Sequence, residues 1–304
     1  VTYRVSTDAF SHFNEKKAGL TLMKELPIGI IDSGFGGLTV VKQSLKQLPN
    51  ESIIYLGDSA RCPYGPRPLS QVKEFIWQMT NFLLEKGIKM LVLACNTGTA
   101  AALEEIRATL SIPVIGVIHP GSRAAIKETQ NQRIGVIGTQ GTINSRLYEQ
   151  VILEKANHLA VKSVAAPEFV SIVEENRMDD AKTPDIVKTQ LQSLIDEGVD
   201  TLVLGCTHYP IIRDVIQMAM GDSVSLIDSG VETINEVSTL LDYFNLSRSA
   251  QEALECPATM DIYTTGEADR FETVAKTWLQ NEQLVVKTCR IEEDNIVENI
   301  NRNA

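Results

Sequence analysis

The sequence predicts an α/β fold of two similar units built on mainly parallel sheets, and three observations carry that expectation. Short apolar runs bounded by Gly, Asp, Ser or Cys recur along the chain: PIGIID, SIIYLGD, MLVLAC, IPVIGVI, RIGVIGT, DTLVLGC and VSLIDSG. Each is followed by a stretch of helical period, and a strand covered on both faces by helices reads as such a continuous apolar block. The second observation is an internal echo: LVLACNT at 91–97 matches LVLGCTH at 202–208, and IIDSG at 30–34 is answered by LIDSG at 226–230. The matched cysteines, Cys95 and Cys206, stand about one domain length apart. The third is length, since 304 residues at roughly 100 to 200 per domain make two domains. If the strand ends of the two units face each other, one cysteine lies on each side of a shared cleft.

Composition removes whole classes of protein. Apolar residues make up 43%, charged residues 22% and aromatics 6%, which excludes disordered, collagen-like and disulfide-scaffold chains. No segment approaches the roughly 18 uninterrupted apolar residues of a membrane span. The first 24 residues hold no apolar block of signal-peptide length with a small-residue cleavage site, so the expected location is the cytoplasm. Twenty-eight basic against thirty-nine acidic side chains give a net charge of −11, which argues against a surface that tracks nucleic-acid phosphates. The five cysteines are odd in number and irregularly spaced, with no CxxC, so they fit reduced thiols better than disulfides or zinc.

In chain order, residues 1–24 show no periodicity and end on a Met23-Lys24 pair that looks like a natural start. They read as an extension outside the fold, with a docked helix as the competing reading. DSGFGG at 32–37 follows the first strand, with Asp32 at its end and glycines that let backbone amides approach a ligand. It is no dinucleotide fingerprint, because the third glycine of GxGxxG falls on Thr39; Asp32 as a plain helix cap stays open. LTVVKQSLKQL then reads as an amphipathic helix. RCPYG at 61–65 is a turn whose amides and Tyr64 either face the cleft or sit on the surface.

Cys95 closes a buried strand just before Asn96, Thr97 and Thr99, any of which suits the cap of the next helix. A helix dipole there is expected to pull the thiol down from about 8.5. GTQGTI at 138–143 is ambiguous between capping and ligand binding, and Glu174 in PEFVSIVEEN reads by composition as a solvated helix carboxylate. Cys206 repeats the strand-end setting with Thr207, His208 and Pro210 following. A lone buried cysteine is ordinarily core, but two in one context point to reactivity. His208 reads as an orienting or proton-relaying group, since side chains near in sequence usually point apart. His12, His119 and His158 read as structural or exposed.

Taken together, IIDSGFGGLTVV, GDSARCPYG, VLACNTGTA, GTQGTI, PEFVSIVEE and LVLGCTHYP resemble, in order and spacing, the glutamate racemases. The resemblance covers everything from Leu26 onward. It implies two α/β domains related by a pseudo-twofold axis, with the active site in the cleft between them. The chain enters the first domain (25–118), crosses to the second (119–228) and returns (229–304). It implies Cys95 and Cys206 as catalytic thiols and Asp32, Glu174 and His208 as the polar groups assisting them. Substrate would meet Asp32, Ser33, Pro63, Tyr64, Gly65, Asn96, Thr97, Thr139, Thr142, Thr207 and His208. The implied reaction exchanges L- and D-glutamate for peptidoglycan synthesis, with no cofactor and no metal, in a homodimer whose partner is the small substrate alone. Cys95 would deprotonate D-glutamate and Cys206 L-glutamate. An aspartate or hydantoin racemase, a decarboxylase, a cysteine hydrolase using Cys206 with His208, and a noncatalytic amino-acid-binding module remain alternatives.

Overall fold

The computed structural model describes residues 23–299; the first 22 residues of the expected extension, His12 among them, and residues 300–304 lie outside the described residues. Eleven strands among the described residues form two sheets. They are β1 (Ile28–Asp32), β2 (Ile53–Gly57), β3 (Met90–Leu93), β4 (Val114–Gly116), β5 (Arg133–Gly138), β6 (Ala160–Ala165), β7 (Thr201–Gly205), β8 (Ser225–Asp228), β9 (Met260–Thr264), β10 (Val286–Glu292) and β11 (Asn295–Glu298). One sheet has the order β11-β10-β9-β2-β1-β3-β4 and the other β6-β5-β7-β8. Every pairing is parallel except β10 with β11.

The two sheets share a plan. The run β2-β1-β3-β4 repeats as β6-β5-β7-β8, so β3, before Cys95, corresponds to β7, before Cys206. Register refines the correspondence: Gly29 pairs with Leu91, and Gly135 with Leu202. IGIIDS at 28–33 is therefore matched by IGVIGT at 134–139. This corrects one of the two sequence echoes. LIDSG at 226–230 runs along β8, whose counterpart is β4 rather than β1.

Burial explains why these segments fold as they do. All residues of β1, β2, β3 and β7 are buried, as continuous apolar runs between helical layers must be. The helix Leu38–Gln47 turns Leu38, Val40 and Val41 onto the first sheet, where they join Ile30, Tyr55 and Val92. The opposite face is filled by Ile76, Met79 and Leu83 of the helix Leu69–Lys86 against Ile31, Leu56 and Leu93. Phe169, Leu191 and Leu194 cover one face of the second sheet, and Tyr148 and Ile152 the other. In both sheets the carboxyl ends of the central strands point at one another, which brings loops from both units to one place.

Candidate active site

The strand-end loops enclose a small cavity lined by Ser33, Cys62, Pro63, Tyr64, Gly65, Cys95, Asn96, Thr97, Thr139, Val170, Cys206, Thr207 and His208. Both cysteines of the internal echo thus face the same space. Its volume is about 20 Å³, room for little more than one water. A wider opening of about 500 Å³ lies outside it, bordered by Phe35, Ser59, Glu174 and Arg270 and sharing Cys62, Pro63 and Val170 with the inner chamber. A ligand of amino-acid size needs more room than this inner chamber offers.

On the first side, Cys95 is 6% exposed and is itself the cap of the helix Asn96–Thr109: its Sγ accepts the Gly98 N–H at 3.3 Å. The expected caps do other work. Thr99 donates to the Leu93 carbonyl, Thr97 joins Thr139 and Thr142 in a hydroxyl cluster with separations of 2.8, 3.2 and 3.1 Å, and Asn96 Oδ1 accepts the Tyr148 hydroxyl at 2.7 Å. Cys95 Sγ also lies 3.7 Å from Ser33 Oγ. The expected downward pull on this thiol is not what results. Burial, with the Asp32 carboxylate adding to it, pushes Cys95 up to about 12 against the lowering effect of the Gly98 and Ser33 hydrogen bonds. Loss of solvent outweighs the helix terminus.

Asp32 sits fully buried just behind the cavity wall. Its Oδ1 accepts the Gly34 N–H at 3.0 Å, and its Oδ2 accepts the Thr207 hydroxyl of the other unit at 3.3 Å. Burial raises its carboxyl above the ordinary value, opposed by His208 and by the amides of Gly37 and Gly34. The carboxylate therefore both caps a turn and reaches across the cleft.

On the second side, Cys206 Sγ lies 3.7 Å from His208 Nδ1, so two side chains expected to diverge converge instead. A turn closed by the Tyr209 N–H on the Cys206 carbonyl at 3.1 Å folds the chain between them, just before the short 3-10 helix Tyr209–Ile212. His208 Nε2 is 2.8 Å from Glu174 Oε1, and Glu174, the last residue of the helix Pro167–Glu174, also pairs with Arg270 at 3.5 Å. Burial opposes charge on His208, but its bonds to Cys206 and Glu174 raise it to about 10. Both contacts thus favour the charged form of the imidazole beside the Cys206 sulfur.

Three placements differ from the simplest sequence reading. The Tyr64 hydroxyl is taken up by buried Asp58 and lies 3.5 Å from Met79 Sδ, so the phenol is already partnered within its own unit. Thr142, like Asp32, stands one layer back and supports Thr97 and Thr139. Glu174 borders the outer opening and reaches the chamber through His208. His119 and His158 are not among the lining residues. Cys62 and Val170 line the chamber without having been singled out. Cys62 sits inside the RCPYG motif and its thiol was the available signal, whereas Val170 carries none.

Comparison with known proteins identifies the family. The Asp/Glu/Hydantoin racemase family matches residues 28–237. A glutamate racemase of Carnobacterium sp. (strain St2) is 57% identical over 265 residues, covering 87% of this chain and 98% of the relative. A glutamate racemase isoform from Bacillus anthracis superposes with a TM-score of 0.83 at 43% identity, covering 90% of this chain and 99% of that one. The glutamate racemase from Francisella tularensis, solved with D-glutamate, gives 0.80 at 33% identity over 88% and 98%. With the family match spanning most of the chain and both cysteine strand ends within it, the chain belongs to the Asp/Glu/Hydantoin racemase family and is an isomerase.

Proposed function

We propose that this protein interconverts L- and D-glutamate with Cys95 and Cys206 as two bases on opposite faces of the α-carbon, supplying D-glutamate for peptidoglycan. Racemisation removes the α-proton from one face and returns another to the opposite face, which one immobile base cannot do. The observation that carries this reading is the pair of thiols from corresponding strand ends, lining one cavity in unlike surroundings. Burial and Asp32 hold Cys95 as a thiol, while Cys206 faces the His208 imidazole backed by Glu174. That combination suits Cys206 as acceptor and Cys95 as donor when L-glutamate is bound, with the roles exchanged for D-glutamate.

The carbanion-like transition state needs preorganised donors, each worth roughly 3 to 4 kcal/mol when well aimed. Asn96 Nδ2 is buried and has no partner among the described residues, so it suits the α-carboxylate, and the Thr207 hydroxyl joins it on releasing the Asp32 carboxylate to which it donates here. Ser33 and the Tyr64-Gly65 backbone suit the side-chain carboxylate. In this reading the thiols need no cofactor, and the enzyme works as a cytoplasmic homodimer without nucleic-acid or membrane partners. Residues 25–118 with 229–304 form one domain and 119–228 the other, a division supported by the membership of the two sheets.

Solvent deuterium incorporation tests the reaction. Purified protein without added pyridoxal phosphate or metal should exchange the α-proton of both glutamate enantiomers and equalise them. Exchange on aspartate with none on glutamate would overturn the substrate assignment, and release of a hydrolysis product without exchange would overturn the reaction.

A further inference from the structure

Asn96 presents an imbalance: its Oδ1 accepts the Tyr148 hydroxyl at 2.7 Å, but its buried Nδ2 has no partner among the described residues. Buried donors are almost always paired. Asn96 lines the inner cavity, so the partner this amide lacks is one that enters there.

A carboxamide is nearly symmetric in shape, and a half-turn exchanges its oxygen and nitrogen. The group behind it decides which one meets a ligand. The Tyr148 hydroxyl has one proton to donate. Given to Oδ1, it turns the carbonyl away from the cavity and leaves the amine as the ligand-facing group. A flipped Asn96 would present a carbonyl dipole to a carboxylate, which is repulsive. Burial raises the Tyr148 phenol above its ordinary value, so that proton stays in place through the neutral range.

The surroundings fix the ring as well. Tyr148 is 2% exposed. A Cβ added at Gly205 would lie 3.1 Å from its Cε2, and one at Gly121 would lie 3.5 Å from its hydroxyl. Tyr148 comes from the helix Leu147–Lys155, on the β5-β7 sheet, and reaches the first residue of the helix Asn96–Thr109 on the other. It therefore touches Gly205, next to Cys206, and Asn96, next to Cys95.

We propose that Tyr148 is a positioning residue for racemisation, holding Asn96 so that its Nδ2 meets the substrate carboxylate. The proposal rests on the glutamate reading above, and two readouts keep their failures apart. Tyr148→Phe keeps the ring and removes the proton. Its kcat/KM should fall about tenfold in both directions, the scale of one lost hydrogen bond. In an Asn96→Ala background the same change should have no further effect, because Tyr148 acts through Asn96. The side-chain amide signal of ¹⁵N-labelled Asn96, identified by its disappearance in Asn96→Ala, should shift in Tyr148→Phe. Independent, additive losses in the double variant, or an Asn96 signal unmoved by Tyr148→Phe, would overturn the proposal. A wild type inert towards glutamate would refute the substrate reading instead, while the amide signal would still decide whether Tyr148 orients Asn96.

Discussion

At the scale of residues, the two thiols are alike in placement and unlike in company. Register aligns Cys95 with Cys206, Asn96 with Thr207 and Thr97 with His208, and it aligns Asp32 with Gly138. The shared plan is thus broken at the two places that set charge. Asp32 has no carboxylate opposite it, and His208 has no imidazole opposite it. One thiol is therefore raised by burial beside an acid, while the other faces an imidazole whose contacts favour its charged form. Such an arrangement predicts mirror-image residual chemistry. Cys95→Ala and Cys206→Ala should each lose net racemisation by at least about a thousandfold, as expected when a residue acting in the chemical step is removed. With a glutamate analogue that expels a β-leaving group after deprotonation, Cys95→Ala should still process the L-enantiomer and Cys206→Ala the D-enantiomer. A cysteine hydrolase built on Cys206 and His208 would leave Cys95→Ala nearly active, and two variants sharing one enantiomer preference would refute the two-base assignment.

At the scale of elements, close approach explains the glycines of the first strand-end loop. A Cβ at Gly36 would fall 2.6 Å from His208 Nδ1 and against the Thr207 hydroxyl, so this loop packs directly on Thr207 and His208 of the other unit. Gly36→Ala should displace His208 and lower kcat by tenfold or more, on the order expected for a misplaced catalytic group. The melting temperature should move little, since only loop atoms shift; full activity in this variant would show that His208 position is not critical. The same element view shows what the sequence reveals. β1–β5 and β7 are legible because strands covered on both faces leave continuous apolar blocks, and β8 is legible from its run VSLID although it lies at a sheet edge. β6 escapes because it is an edge strand whose Ala160 and Lys162 are exposed, and β10 because exposed Lys287 and Arg290 alternate with buried Val286 and Cys289. Cys95 and Cys206 are legible through repetition of their strand ends. Glu174 is not, because its partner His208 is distant in sequence, and Tyr148 carries no motif because its role lies in a contact between units.

At the scale of the whole molecule, the cavity end of the first sheet is balanced by an ionic hub at the opposite end. Lys89 is fully buried before β3, and its Nζ donates to the Glu51 carboxylate, to the Lys24 carbonyl at 2.7 Å and to the Leu246 carbonyl at 2.9 Å. Glu51 also accepts the Arg248 N–H at 2.8 Å, and Arg248 pairs with Glu25 at 3.1 Å. Residues 24–25, the starts of two strands and the segment after the helix Ser229–Tyr243 are thereby tied together. Burial pulls the Lys89 ammonium down from its ordinary value and Glu51 holds it up, so each acceptor matters. A chain beginning at Met23 keeps every one of these partners and should match the full chain in denaturant midpoint and in turnover. A chain beginning at Pro27 loses the Lys24 carbonyl and Glu25 and should be less stable by about 1 to 3 kcal/mol, the cost of leaving a buried charged donor short of an acceptor. Its kcat per folded molecule should be unchanged, because the hub lies at the amino ends of strands whose carboxyl ends carry the site, a strand length of roughly 15 Å away. Loss of stability on starting at Met23 would show that the fold depends on residues before it, and loss of kcat without loss of stability on starting at Pro27 would show that the hub communicates with the cavity.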